Sequence, residues 1–330
     1  MKTIVLAVCA FIAVATFKIT PVFALEPLEI YREKSPSVVL IYAKVSQRMS
    51  KGGSGFFIGP DGLILTNAHV VTDKNNRPLT KISVYLKPDR VTGDLKHDLT
   101  RRYTAHIVKY IRSIDIAVLK IDGYSGSERP LRLTDSEKTE IGQRVVAIGH
   151  PEQGGLWTLT TGTISSRKMN IGGVSGKHMF QTEASINHGN SGGPLIDSDG
   201  FVVGMNTSTS RISSDGTAIV GVNFALQANV LSNWLNREGF GIDTARAPKA
   251  KPRKKEAAKK EPEKSAPKPP PKVKEIKPVK TAETKTEAKP EKEGKIITPE
   301  KPYDWQSLEA TVAEMEDMME DMKGKIRGKF

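Results

Sequence analysis

Ser191 stands in the stretch INHGNSGGPL (186–195), inside a run of glycines that lets the backbone turn sharply. A serine hydroxyl is a poor nucleophile near neutral pH. It needs a general base within hydrogen-bond reach, a group that orients that base, and N–H donors for the developing oxyanion. GNSGG can supply the donors through the amides of Gly189 and Ser191. Six histidines are candidate bases. His97 lies in a polar, loop-like stretch, His106 falls mid-strand, and His150, His178 and His188 lie at strand ends or in loops. His69, in LTNAHVV, comes just past an apolar strand, where a side chain can project into a cleft. The orienting acid should be partly buried, which favours an Asp beside an apolar run; Asp115 in SIDIAVLKI meets that condition. Taken singly, each of these is an ordinary polar residue at a strand end or turn. Together they specify nucleophile, base and orienter, with no cofactor and no metal.

Such groups need a rigid frame. Between residues 25 and 245 the chain reads as short apolar runs punctuated by Gly, Asp and Pro: SVVLIYAKV (37–45), GSGFFIG (53–59), GLILTNAHVV (62–71), KISVYLK (81–87), YTAHIVKY (103–110), DIAVLKI (115–121), RVVAIGH (144–150), LWTLTTGTISS (156–166), GFVVGMN (200–206) and AIVGVNFAL (218–226). They are rich in β-branched residues and turn signals separate them, so the expectation is an all-β sandwich or barrel. The length admits two small barrels side by side. One helix is expected in QANVLSNWLNREG (227–239), with Val230, Leu231, Trp234 and Leu235 on one face and Gly239 as its stop.

Four segments in order, GSGFFIGPDGLILTNAHVV (53–71), YTAHIVKYIRSIDIAVLKI (103–121), RLTDSEKTEIGQRVVAIGHP (132–151) and QTEASINHGNSGGPLIDSDGFVVGMNTS (181–208), resemble the HtrA/Deg family of trypsin-like serine proteases. The resemblance runs over about residues 35–235. It implies a chymotrypsin-like fold of two six-stranded β-barrels with the site in the cleft between them. It further implies His69 as general base, Asp115 as its orienter, Ser191 as nucleophile, and Gly189 and Ser191 as the oxyanion-hole amides. The function implied is endopeptidase action on unfolded or damaged proteins. A non-catalytic, chaperone-like or scaffold protein on the same fold is the alternative.

The resemblance also places a substrate pocket at Ile186, at the wall Ser208, Thr209 and Ser210, and at Val222 and Asn223. Trypsin has Asp six positions before its nucleophile; Ser185 stands there in this chain, so no carboxylate is placed to receive Lys or Arg. Ile186 and Val222 point to a shallow pocket for small aliphatic side chains. Asn223 stands where the family usually has Gly, and His188 where it usually has Pro. Family members usually carry PDZ domains after the protease; in this sequence a linker begins where one would start.

The flanks have their own logic. Lys2, the 14-residue apolar run IVLAVCAFIAVATF (4–17) and the small-residue ending at Ala24 read as a cleavable signal peptide over residues 1–24, too short to span a bilayer comfortably. The single Cys, Cys9, falls inside it, so the mature chain is cysteine-free and suited to a periplasmic or secreted location. Of the formal net charge of +13, residues 246–300 carry +9, along with ten of the 20 prolines and no aromatic residue. That composition cannot bury enough surface to order itself and reads as a basic Pro/Lys-rich linker. It reads as a solvated spacer or as a contact with an anionic envelope surface; export and the lack of aromatics for stacking argue against nucleic acid as a partner. In residues 301–330, Trp305, Leu308, Val312, Met315, Met319, Met322 and Ile326 repeat at three- and four-residue spacing. This is an amphipathic helix whose seam suits a short coiled coil or docking on another surface. The family resemblance favours a homotrimer through about residues 25–36.

Overall fold

The computed structural model describes residues 25–46, 49–152, 154–207, 222–242, 244, 308 and 310–313. The expected signal peptide and basic linker lie outside them. Six strands, β1 (Val38–Ser46), β2 (Met49–Phe57), β3 (Leu63–Thr66), β4 (Lys81–Leu86), β5 (Arg102–Ile111) and β6 (Ile116–Ile121), close a first barrel in the order β1-β2-β3-β6-β5-β4. Six more, β7 (Arg144–Gly149), β8 (Thr158–Lys168), β9 (Met179–Thr182), β10 (Pro194–Asp197), β11 (Val202–Thr207) and β12 (Asn223–Gln227), close a second in the order β10-β11-β12-β9-β8-β7. Every paired strand within each barrel is antiparallel. These are the two six-stranded β-barrels that the resemblance implies.

Burial explains the uninterrupted apolar runs. Side chains alternate faces along a strand. In β1, Val39, Ile41 and Ala43 fill the first barrel, while Val38, Leu40 and Tyr42 join a second cluster shared with the other barrel. In β7, Val145 and Ala147 fill the second barrel and Val146 and Ile148 join the shared cluster. Strands buried on both faces lose the polar alternation of a solvated sheet. Trp157 ties the halves further: its indole N–H donates to the Val38 carbonyl at 2.8 Å.

Helices complete the described frame. In α1 (Pro27–Lys34), Pro is at the start and Ile30 is buried. Just ahead of it, the Leu25 N–H donates to the Ser198 carbonyl at 2.7 Å, tying this segment to the β10–β11 turn. The single turn α2 (Leu95–Asp98) lies between β4 and β5, capped by the Asp94 carboxylate on the Lys96 N–H. The helix α3 (Ala228–Arg237) buries Val230, Leu231, Trp234 and Leu235 on one face, as its spacing predicts.

Two seam positions of the C-terminal segment, Leu308 and Val312, are described, and both are buried within the shared cluster that includes Ile30, Val38 and Trp234. The other five lie outside the described residues. Removing residues 301–330 takes two fully buried apolar side chains from this cluster. At about 1.5–3 kcal/mol each, the expected loss is about 3 kcal/mol or more. Denaturant unfolding of residues 25–330 beside residues 25–300 measures it; equal midpoints would mean that the two side chains contribute nothing to the domain.

Candidate active site

His69 sits on a 3-10 turn, Ala68–Val70, directly after β3, and Asp115 immediately precedes β6. The two strands are hydrogen-bonded neighbours, with Thr66 opposite Ala117, so their ends deliver both residues to one edge of the first barrel. The His69 Nδ1 lies 2.8 Å from Asp115 Oδ2, and the His69 backbone N–H donates to Oδ1 at 2.9 Å. The Asn67 side chain donates to the Asp115 carbonyl at 3.0 Å, and the Thr207 hydroxyl reaches Oδ2 at 3.4 Å from the second barrel. Asp115 has φ +62°, a left-handed conformation that Asp tolerates better than most residues.

Burial by itself would push the Asp115 carboxyl up. The bonds from the His69 ring and backbone, with Arg112 nearby, outweigh it and hold the carboxyl below the ordinary range. An ionised carboxylate only accepts. The His69 Nδ1 therefore carries the proton, and its Nε2 is left with a lone pair available to take one.

The loop bearing Ser191 belongs to the second barrel but is fastened to the first. The Ser54 N–H donates to the Ser191 carbonyl at 2.8 Å. A β-carbon on Gly192, φ +86°, would come within 2.2 Å of the Ser54 carbonyl oxygen and 3.1 Å of the Asn67 nitrogen. One on Gly53 would meet the Val70 methyls at 2.7 Å and the Ser191 carbonyl at 3.3 Å. The Ser191–Gly192 corner thus lies against the segment that carries His69, at a separation no side chain fits into.

Gly189 is fixed on both flanking peptides. The Glu152 N–H donates to the His188 carbonyl at 2.8 Å. Because C=O and N–H of a trans peptide point in opposite directions, the Gly189 N–H is turned away from Glu152. On the other side, the Ser54 hydroxyl donates to the Gly189 carbonyl at 2.7 Å. Gly189 has φ +93°, and a β-carbon there would lie 2.0 Å from the His150 carbonyl oxygen, so glycine is required. The side chain of His188 is exposed.

Of the remaining histidines, His97 and His106 also meet an aspartate, Asp94 and Asp122, each at 2.7 Å, but these pairs lie on the surface. His178 bonds the Asn170 N–H at 3.3 Å. His150 is wholly buried, 4.8 Å from the Trp157 ring. Its Nδ1 and backbone N–H both meet the Ser54 hydroxyl, at 2.9 and 3.1 Å. That hydroxyl spends its one proton on the Gly189 carbonyl, so the His150 Nδ1 must donate. The Nε2 then carries only a lone pair, buried without a partner among the described residues. The sequence reading did not find Ser54 or the part His150 plays; the sole hint was that both lie in motif segments, GSGFFIG and VVAIGHP.

The pocket residues are described in part. Ile186 is buried, Asn223 is buried on β12 opposite Thr182, and Val222 is partly buried. Ser208, Thr209 and Ser210 lie outside the described residues. Ser185 is exposed, and its carbonyl accepts from the Thr160 hydroxyl at 2.9 Å.

Burial holds the His150 imidazole down at about 3. An unfolded chain protonates the same ring near 6.5, so its contribution is fully present above that pH and is lost as the pH falls towards 3. His150→Asn keeps an N–H donor for Ser54 and removes the titration. Between pH 7 and pH 4.5 the wild type should lose about 2–3 kcal/mol more stability than the variant. Denaturant titrations of both proteins at the two pH values check this; parallel losses would refute it.

Residues 53–205 match the family model of the trypsin-like peptidase domain. The chain is 37% identical over 183 residues to the magnetosome formation protease MamE of Paramagnetospirillum magneticum, covering 54% of this chain and 22% of that one. It is 35% identical over 244 residues to the serine protease HTRA1 of Xenopus laevis, covering 71% of this chain and 45% of that one. It is 37% identical over 191 residues to a probable periplasmic serine endoprotease, DegP-like, of Chlamydia pneumoniae, covering 57% and 35%. The chain thus spans less than half the length of these relatives. Among solved structures, the HtrA-type protease AlgW with tripeptide superposes with a TM-score of 0.52 at 29% identity, over 64% of this chain and 63% of that one. Paired barrels, a glycine-bound serine loop and these likenesses converge: the chain carries a trypsin-like peptidase domain, similar over that region to serine proteases of HtrA/DegP type.

Proposed function

We propose that the chain is an exported serine endopeptidase that cleaves unfolded or damaged envelope proteins through an acyl-enzyme. The observation that carries this reading is the partly buried His69–Asp115 pair, with the Ser191–Gly192 corner packed against the turn that bears it. In the reaction, the Ser191 hydroxyl attacks the scissile carbonyl and its proton passes to His69 Nε2. Asp115 stays ionised, holds the Nδ1 proton and stabilises the imidazolium. The oxyanion takes the N–H groups of Gly189 and Ser191, the former at no cost in reorganisation because both peptides flanking Gly189 are already fixed. His69 then returns the proton to the leaving amine, and water repeats the sequence on the ester.

Localisation to the periplasm or outside the cell rests on the signal-like residues 1–24 and on the DegP-like relatives. Assembly as a homotrimer through residues 25–36 and contact of the basic linker with an anionic envelope surface belong to the same proposal. Burial of Leu308 and Val312 supports docking of the C-terminal helix on its own protease domain over a coiled coil through those positions.

Casein hydrolysis and fluorophosphonate labelling of the mature chain test the reading. Ser191→Ala should abolish both, and His69→Ala should lower the cleavage rate by roughly 10⁴-fold or more. Cleavage undiminished in Ser191→Ala would sink the mechanism, and a wild type that binds casein without cutting it would establish the non-catalytic alternative.

Specificity follows from the pocket. With Ser185 where a basic-specific protease needs a carboxylate, and Ile186 and Val222 nearby, cleavage is expected after Val, Ala, Ile or Thr. Mapping the peptides released from a denatured protein decides this; cuts after Lys and Arg would refute the pocket assignment.

A further inference from the structure

The backbone of the His69 turn is held by long bonds, with the Thr72 hydroxyl donating to the Ala68 carbonyl at 2.9 Å beside them. Its backbone bonds, Val70 N–H to the Asn67 carbonyl and Val71 N–H to the Ala68 carbonyl, are both 3.2 Å long. That is longer than the usual 2.9–3.0 Å, and 3-10 geometry is poor to begin with. Asp115 grips the N–H and the ring of His69, but the carbonyl side of the residue is left to another partner. That partner is Lys51, whose Nζ donates to the His69 and Thr72 carbonyls, each at 2.9 Å.

We propose that Lys51 is a positioning residue for His69, its ammonium clamping the end of the 3-10 turn so that the imidazole keeps its alignment between Asp115 and Ser191. Lys51 and Gly53 point to the same face of β2, because side chains two apart share a face. At Gly53 the strand lies so near the turn that a β-carbon would meet Val70 at 2.7 Å. A long side chain two residues back is placed to reach past the contact and cap the carbonyls beyond it. Bonds from an ammonium are roughly twice as strong as those between neutral groups.

The surroundings of the ammonium agree with a clamp. Partial burial, then Arg112, pull its pKa below the ordinary lysine value, against Asp73 and Asp115, which pull it up. A half-dry ammonium held away from bulk water is one whose bonds replace solvation. His69 is thereby pinned at its N–H, its C=O and its Nδ1, which leaves the Nε2 side for the reaction. A base displaced by about 1 Å costs on the order of 10²-fold in rate.

The proposal rests on the reading of His69 as general base, and the test separates the two. In the full mature chain, Lys51→Met should lower kcat on a peptide substrate by roughly 10- to 100-fold with KM nearly unchanged. Lys51→Arg, which keeps a cationic donor, should restore most of it. Independently of turnover, the low-field proton resonance of the His69 Nδ1–H···Asp115 bond should broaden or shift in Lys51→Met and return in Lys51→Arg. Lys51→Gln, neutral but still a donor, serves the same NMR comparison where the Met variant fails to fold, with a partial shift expected. An unaltered resonance in the neutral variant overturns the clamp, whatever the activity of the wild type. Wild-type kcat, or a rise in KM alone, overturns it too, the latter by making Lys51 a substrate contact. An inactive wild type with a Lys51-dependent resonance overturns only the catalytic reading of the triad and upholds the clamp.

Discussion

The candidate site is divided between two barrels, and one hydroxyl sets their register at the point that matters. Ser54, on β2 of the first barrel, donates to the Gly189 carbonyl of the second and accepts from His150, which follows β7 of the second. Its backbone is committed as well: the N–H goes to the Ser191 carbonyl, and the carbonyl takes the Thr66 hydroxyl at 2.7 Å. Thr66 ends the strand that leads to His69. The serine loop, the Gly189 peptide and the strand leading to His69 therefore meet on one residue with no bonding capacity wasted. Buried polar networks favour a structure only when every member is satisfied. That standard is met at Ser54, while the His150 Nε2 and the Oδ1 atoms of Asn67, Asn190 and Asn206 have no partner among the described residues.

Much of this frame was legible in the sequence, for a reason visible in β1 and β7. Their apolar runs are long because one face fills a barrel and the other fills the cluster the barrels share. Two strands, β9 and β10, escaped the strand reading. Each is only four residues long, and β10 begins with the Pro194 of the serine motif, so its strand signal was absorbed by the motif. The helix α3 was legible because a four-residue apolar stripe followed by Gly239 leaves little room for another state.

The site was legible by type and not by environment. Three histidines meet an aspartate through Nδ1 at 2.7–2.8 Å, so pairing alone does not single out His69. What does is the depth of its partner. The Asp115 side chain is 13% exposed, against 54% for Asp94 and 50% for Asp122. Surface pairs are worth little because water and salt screen them. An Asp before an apolar strand is the sequence form of that depth, which is why DIAVLKI favoured Asp115. Lys51, Ser54 and His150 leave no comparable trace, because their roles arise from approaches of β2 to distant segments.

The charges around His69 have a common design. Asp115 is ionised in a poorly solvated place, a costly state unless donors surround it. The donors on this carboxylate come from the His69 ring, the His69 backbone and Thr207, with the Arg112 guanidinium 3.8 Å from Oδ1. Arg112 is itself anchored, through Nε, to the Asn76 side chain at 2.7 Å. Positive charge thus approaches the carboxylate through an arginine held at its far side and through the Lys51 ammonium, which carbonyl oxygens hold on its own turn. Neither cation takes a bond from the ring. The Nδ1–H therefore keeps Oδ2 as its acceptor, and the tautomer that leaves a lone pair on Nε2 is set by the frame.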